Sequence, residues 1–155
     1  MNVLIDSQNT IDSTDIPNDE LLQRWVLKVL TLLDATFLEP EITIRVVSLE
    51  ESQQLNFEYR SKNKPTNVLS FPFEAPEMIP SSELGEFLGD LVICEQIVIN
   101  EAKEQNKVLM DHWAHLVIHG VFHLLGFDHI EESEAEEMES LEIKVLEALG
   151  INNPY

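Results

Sequence analysis

The chain has 155 residues and a formal net charge of -20, from 9 lysines and arginines against 29 aspartates and glutamates. Its apolar fraction of 44% is enough for one hydrophobic core, so we expect a single domain over residues 1–155. Taken alone, the acidic balance disfavours nucleic acids, including DNA, and anionic membranes as partners, because the body of the protein repels phosphate. No signal-peptide pattern follows Met1 and no apolar run approaches about 18 residues, which predicts a cytoplasmic protein.

Short runs rich in β-branched and aromatic residues predict four strands. The first is the weakest signal, a short apolar run that starts at Val3. The third follows a polar loop in which Pro65 prevents a helix from continuing. The predicted strands cover residues 3–5, 41–47, 67–71 and 87–94. Between the last two, three prolines within residues 72–86 indicate an irregular surface loop.

Helical periodicity and end signals predict five helices. Ser48 followed three residues later by Glu51 fits a capping box, so a helix should begin there. Gly126 and Gly150 are suited to the left-handed position that follows a helix C-terminus. The predicted helices begin near residues 17, 48, 95, 110 and 131 and end near residues 33, 59, 105, 125 and 149.

All five histidines lie between residues 112 and 129, and four of them share one face of the fourth predicted helix. A lone histidine pair is often only a polar helix face. Here, however, His119 and His123 are spaced i and i+4, so both imidazoles can reach one point beside the helix. Gly126 allows the chain to turn, and His129 can then supply a third ligand to a zinc ion. Three protein ligands leave one position for water, as in catalytic zinc sites.

This ligand spacing is the one found in metzincin proteases, in which a glutamate general base follows the first histidine. Here that position is Gly120, which has no side chain to accept a proton. A peptidase is therefore disfavoured, although the metal geometry could be shared. His112 and His115 lie one or two turns upstream, and we expect them to make packing contacts or hydrogen bonds around the ligands.

The segment His119–His129, HGVFHLLGFDH, closely resembles the signature of the YbeY family, which are bacterial zinc-dependent endoribonucleases. Two upstream segments resemble further motifs of that family. Residues 55–72 contain LN, YR and KPTNVLSFP in order, and residues 88–94 read LGDLVIC. The three segments cover the middle and the C-terminal half of the chain, whereas the first 40 residues carry no such motif.

The resemblance implies an α+β fold with a mixed sheet of about four strands packed against helices and a metzincin-like metal-site helix. It implies that one Zn²⁺ is held by His119, His123 and His129, and that Arg60 is a catalytic residue. The implied function is a single-strand-specific endoribonuclease that acts in 16S rRNA 3′-end maturation and ribosome quality control.

The few basic residues are clustered next to the implied catalytic residue. Arg60, Lys62 and Lys64 place three of nine basic residues within five positions, so a local basic loop could contact RNA. Arg60 is the strongest of the three because a guanidinium binds phosphate with two hydrogen bonds. Lys62 and Lys64 are explained equally well as solvated loop residues. Because the chain is so acidic, we expect ribosomal RNA as substrate and the ribosome or ribosomal proteins as partners that supply targeting. The last predicted helix concentrates acidic residues, namely Glu131, Glu132, Glu134, Glu136, Glu137, Glu139, Glu142 and Glu147.

Two other functions stay open at this stage. One is a non-catalytic ribosome-assembly factor with a structural zinc, which a fourth ligand such as His115 or Asp128 would support. The other is a metzincin-like zinc peptidase, which the ligand spacing suggests and Gly120 opposes. The general base of the reaction is left unassigned, and a turn or hydrogen-bonding role is expected for Asp128.

Overall fold

The computed structural model describes residues 1–74, 78, 85–127 and 131–155. The described residues form the expected α+β fold, with four strands and five helices. In chain order these are β1 Leu4–Asn9, α1 Asp19–Leu32, β2 Glu41–Val47, α2 Leu49–Arg60, β3 Val68–Pro72, β4 Phe87–Cys94, α3 Glu95–Glu104, α4 Leu109–Leu124 and α5 Glu132–Ala148.

The four strands form one mixed sheet in the order β1-β2-β4-β3. The pairs β1–β2 and β2–β4 are parallel, whereas β3 runs antiparallel to β4. At the centre, Leu91 is the Cα partner of Ile44 in β2 and of Ser70 in β3. Among the described strands, β3 lies at one edge of the sheet, and it contacts the histidine-bearing helix α4.

The sheet separates a large hydrophobic core from a small one. The large core lies on the face covered by α1 and α4, and it contains the fully buried Trp113 and Phe122. The small core on the other face consists of Val47, Leu69, Val92 and Cys94, with partly buried residues of α2 and α3 against it. Cys94 has no exposed surface and packs as a small buried apolar residue. This arrangement makes α4 the central helix of the domain.

The beginning of α2 confirms the predicted N-cap. The Ser48 side chain accepts a hydrogen bond from the Glu51 N–H at 3.2 Å. The Glu51 carboxylate binds Arg45 of β2, with Arg45 Nε and Glu51 Oε2 2.7 Å apart. The glutamate of the capping pattern therefore also ties the helix to the sheet.

The ends of α4 and α5 confirm the two glycine stop signals. Gly126 and Gly150 have φ values of +97° and +79°, in the left-handed region that residues with a Cβ rarely adopt. After Gly150, the Ile151 N–H bonds back to the Leu146 carbonyl at 2.8 Å, and Phe127 makes the equivalent bond after Gly126. Both helices thus end in a Schellman motif, which reverses the chain and satisfies helix carbonyls.

The first strand differs from its predicted length, and the predicted loop before β4 can be compared only in part. The first strand is longer than its apolar run, because the polar residues from Asp6 to Asn9 pair with β2. Most of the predicted loop over residues 72–86 lies outside the described residues. Among the helices in the described ranges, none is long and apolar enough to cross a membrane.

Candidate active site

Helix α4 presents three histidines to a cavity of about 830 Å³. The other walls are β3, the last turn of α2 and the tail that follows α5. The helical repeat explains this placement, since residues three and four apart share a face. The side chains that carry the chemistry of the cavity are Tyr59, Arg60, His115, His119, His123 and Tyr155.

His119 and His123 point their Nε2 atoms at a common location. These two atoms are 3.1 Å apart, and the rings lie 4.6 Å apart at 76° to each other. Zn–N bonds of about 2.0–2.1 Å in a tetrahedral site place two ligand nitrogens about 3.3 Å apart. The pair is therefore spaced to bind one metal ion, and both residues are partly exposed to the cavity.

Glu142 of α5 fixes the orientation of the first histidine. Its side chain has no exposed surface, and its Oε1 accepts a hydrogen bond from His119 Nδ1. With the proton held on Nδ1, the Nε2 atom of His119 keeps its lone pair toward the point shared with His123. A carboxylate on the far nitrogen of a histidine is the usual support for a metal ligand.

The Glu142 carboxylate stays ionised although it is buried. Burial raises the pKa of Glu142, but hydrogen bonds from His115, His119 and Tyr155 outweigh this and lower the pKa to about 2. Burial and the neighbouring Glu142 charge raise the pKa of the Tyr155 phenol. The phenol therefore remains protonated and donates to the carboxylate, with 2.5 Å between Tyr155 Oη and Glu142 Oε2.

His112 belongs to a separate set of contacts. Its Nε2 atom lies 2.9 Å from Glu101 Oε1, and Asn67 Nδ2 donates to the same carboxylate at 3.2 Å. These bonds connect α4 to α3 and to the start of β3. His112 is 3% exposed, so its role here is to hold the cavity wall together.

Arg60, the last residue of α2, is exposed and lines the cavity. Lys62 and Lys64 are also exposed, but neither belongs to the described residues that line it. The structure therefore places Arg60 in the wall of the cavity that the histidine pair also lines, and leaves the two lysines on the adjoining loop.

The loop that follows Arg60 is held by buried polar side chains of α2. Asn56 Nδ2 donates to the Lys64 carbonyl at 2.8 Å. Ser52 Oγ donates to the Thr66 carbonyl at 2.7 Å and accepts from the Thr66 N–H at 2.9 Å. Because Ser52 and Asn56 are 2% and 1% exposed, these bonds are shielded from water and fix the path of the loop.

Gly120 faces the sheet. A Cβ at this position would lie 2.7 Å from Leu91 Cδ2, closer than real contacts allow. A glutamate at position 120 would enter the core instead of reaching the cavity. Position 120 therefore has no protease base in this sequence, and the core packing around it would also keep a larger side chain away from the cavity.

The third predicted ligand, His129, lies outside the described residues, as does Asp128. Within the ranges that the structure describes, no group of three His, Cys, Asp or Glu side chains is placed to hold a metal ion. The described part of the site therefore supplies two nitrogen donors, His119 and His123.

Comparison with known proteins identifies the family of this chain. The family model described as Endoribonuclease YbeY matches residues 6–150. The chain belongs to the YbeY family. A relative named Endoribonuclease YbeY, from Colwellia psychrerythraea strain 34H, is 56% identical over 153 residues, which cover 98% of this chain and 96% of that one. The solution structure of a Thermotoga maritima protein shares the fold, with a TM-score of 0.58 at 22% identity over 95% of this chain and 92% of that one.

In this YbeY-family chain, sequence reasoning missed two residues of the site, Glu142 and Tyr155. In the sequence, Glu142 is one of many acidic residues of the last helix. It lies four residues after Met138 and three before Val145, both buried, so it stands on the apolar stripe of α5. A lone carboxylate on an apolar stripe was the signal that could have identified it.

The Glu101 contacts predict a pH-dependent contribution to stability. Burial raises the pKa of Glu101, but hydrogen bonds from His112 and Asn67 outweigh this and hold the pKa below its ordinary value of 4.5. The ionised carboxylate therefore stabilises the fold above about pH 4.5, and this contribution is lost as the pH falls through the folded-state pKa. We expect Glu101→Gln to lower the free energy of unfolding by about 1–3 kcal/mol at pH 7 and by less below pH 4.5.

Urea denaturation at pH 7 and at pH 3.5 measures this difference. Glu104→Gln, at an exposed position of the same helix, is the matched control and should change stability by less than about 0.5 kcal/mol. A difference for Glu101→Gln that is the same at both pH values would contradict the assignment.

Proposed function

We propose that this YbeY-family protein is a zinc-dependent endoribonuclease specific for single-stranded RNA, acting in 16S rRNA 3′-end maturation and ribosome quality control. The observation that carries the proposal is the convergence of His119 and His123 Nε2, 3.1 Å apart, on a cavity that Arg60 also lines. The family match and the printed name of the Colwellia relative support the same activity.

The chemistry of the donors fits zinc. Imidazole nitrogens are common zinc ligands, and His119 has the carboxylate support that such ligands use. We propose that His119, His123 and His129 hold one Zn²⁺. When bound, zinc supplies a Lewis acid that polarises a phosphate oxygen and lowers the pKa of water to about 7.

The protein's own side chains would bind the substrate. Arg60 can grip two oxygens of the scissile phosphodiester and stabilise the charge that they gain in the transition state. Glu142 is not available as a general base, because one oxygen is bonded to His119 and the other to Tyr155. Its role is confined to orienting His119.

An aromatic pair beside Arg60 supports the preference for single strands. The rings of Tyr59 and Phe71 lie 5.1 Å apart at 67°, and both residues line the cavity. Tyr59 is 61% exposed, so a face of its ring can receive a base. Unpaired bases stack on such rings, whereas bases in a duplex are already stacked on each other.

This arrangement predicts that Tyr59→Leu weakens the binding of single-stranded RNA by about 5- to 150-fold, the equivalent of about 1–3 kcal/mol for one stacked base. The measurement is fluorescence anisotropy with a labelled oligonucleotide. Phe57→Leu is the matched control, because Phe57 is 58% exposed on the same helix and is not among the described residues that line the cavity. Equal losses for the two variants would exclude stacking on Tyr59.

We propose RNA as the substrate and the ribosome or ribosomal proteins as partners in the cytoplasm. The net charge of -20 supports a dependence on partners, because an acidic body weakens binding to free RNA. Lys62 and Lys64 are proposed as minor RNA contacts, since they are exposed on the loop next to Arg60.

The alternatives are less well supported by the geometry. An assembly factor with a structural zinc would need a fourth ligand such as His115 or Asp128. His115 Nε2 is engaged 3.2 Å from Tyr155 Oη and 3.5 Å from Glu142 Oε2, and Asp128 lies outside the described residues. A peptidase would need a base near the first ligand, and position 120 is turned into the core. The endoribonuclease is therefore preferred over both.

The proposed function is tested with purified protein and four substrates of matched length: single-stranded RNA, duplex RNA, single-stranded DNA and an unstructured polypeptide. We expect cleavage of single-stranded RNA alone, its loss after chelation and its return with Zn²⁺. Cleavage of the polypeptide would instead establish the peptidase. Zinc binding without any cleavage would favour the assembly factor.

A further inference from the structure

The chain reverses direction after α5 and brings Tyr155 back to the histidines. Gly150 ends the helix with a positive φ, and the Ile151 N–H bonds to the Leu146 carbonyl. Ile151 packs against the large core, and the Asn153 side chain accepts a hydrogen bond from the Tyr155 N–H at 2.8 Å. The tail is thus fixed at several points, and the Tyr155 side chain is held beside Glu142 of α5.

The Tyr155 hydroxyl completes the surroundings of the buried carboxylate. Tyr155 Oη donates to Glu142 Oε2 at 2.5 Å, while Glu142 Oε1 accepts from His119 Nδ1. A carboxylate without exposed surface needs donors at both oxygens, because water does not reach it. Without the hydroxyl, Glu142 would be free to turn toward its remaining donors.

The ring of Tyr155 makes a second contact at the rim of the cavity. It packs edge-to-face on His115, with the ring centres 5.3 Å apart at 84°. His115 Nε2 lies 3.2 Å from the Tyr155 oxygen. Tyr155 is 57% exposed, so its ring is not part of the core. Removal of the hydroxyl alone should therefore leave the fold intact.

We propose that Tyr155 is a positioning residue for the metal site. By holding Glu142, it keeps the proton of His119 on Nδ1 and directs Nε2 toward the point shared with His123. This inference rests on the proposed function, since it requires these two histidines to bind zinc. Groups that orient metal ligands typically change metal affinity by 10- to 100-fold when they are removed.

Tyr155→Phe tests the inference, because it removes the hydroxyl and keeps the ring. We expect the dissociation constant for zinc, measured by competition with a chromophoric chelator, to rise by about 10-fold. In the metal-free protein, ¹⁵N NMR of the imidazoles should show His119 shifting from the tautomer protonated at Nδ1 toward the one protonated at Nε2. A residue with only a structural role would leave this tautomer unchanged. Circular dichroism checks that the variant is folded.

Tyr59→Phe is the matched control, since Tyr59 is the other tyrosine of the chain and lines the same cavity. It should leave both the zinc dissociation constant and the His119 tautomer as in the wild type. Wild-type zinc affinity and tautomer in Tyr155→Phe would overturn the inference while the proposed function stands. A wild-type protein that binds no zinc would overturn both.

Discussion

Replacing His123 with alanine is expected to remove the bound zinc and to reduce the cleavage of single-stranded RNA by about a thousandfold or more. The physical reason is that His119 and His123 are two of the three proposed ligands, with Nε2 atoms 3.1 Å apart. Loss of one donor leaves too few ligands to hold the ion. Metal analysis after dialysis and a cleavage assay on the same preparation measure the two effects together.

The matched control is His112→Gln, which changes another histidine on the same face of α4. His112 is committed to Glu101, and a glutamine amide can still donate to that carboxylate. This variant should keep one equivalent of zinc and most of the cleavage activity. Full zinc content in His123→Ala would show that the metal is bound elsewhere.

Replacing Arg60 with alanine is expected to reduce cleavage by about 10²- to 10³-fold without loss of zinc, because one charged donor to the transition state is removed. Arg60→Lys should recover part of the activity, since it restores the charge but not the pair of parallel hydrogen bonds. Steady-state cleavage kinetics combined with zinc analysis distinguish this effect from that of a ligand mutation.

Arg24→Ala is the matched control for Arg60→Ala, since it makes the same change in net charge at an exposed position of α1. It should leave cleavage within about twofold of the wild type. Lys62→Ala and Lys64→Ala are expected to cause smaller losses than Arg60→Ala, because neither lysine is among the described residues that line the cavity. Equal losses in Arg60→Ala and Arg24→Ala would reduce the role of Arg60 to general electrostatics.

Features that depend on contacts within a few residues could be predicted from the sequence. The Ser48 cap and the stops at Gly126 and Gly150 depend on hydrogen bonds within a few residues, and all three are confirmed. The common face of His119 and His123 follows from helical geometry alone. These features could be predicted because no distant part of the fold takes part in them.

Features that depend on distant pairing could not be predicted. The polar end of β1 is extended because it pairs in parallel with β2. Local β-propensity does not predict this pairing. Tyr155 reaches the site through a reversal of the tail, so its distance in sequence from His119 hid the contact. Glu142 was hidden among neighbouring acids, although its place on the apolar stripe of α5 marked it.

The packing of Gly120 against Leu91 limits which new activities substitutions could introduce into this fold. A single change to glutamate would restore the protease sequence pattern, but the new Cβ would start 2.7 Å from Leu91 Cδ2. The Leu91 side chain would have to repack within the core or helix α4 would have to shift, and a shift of α4 would also displace the imidazoles of His119 and His123. A laboratory selection for peptide hydrolysis should therefore recover paired changes at positions 91 and 120, or a base introduced from another element, before it recovers Gly120→Glu alone.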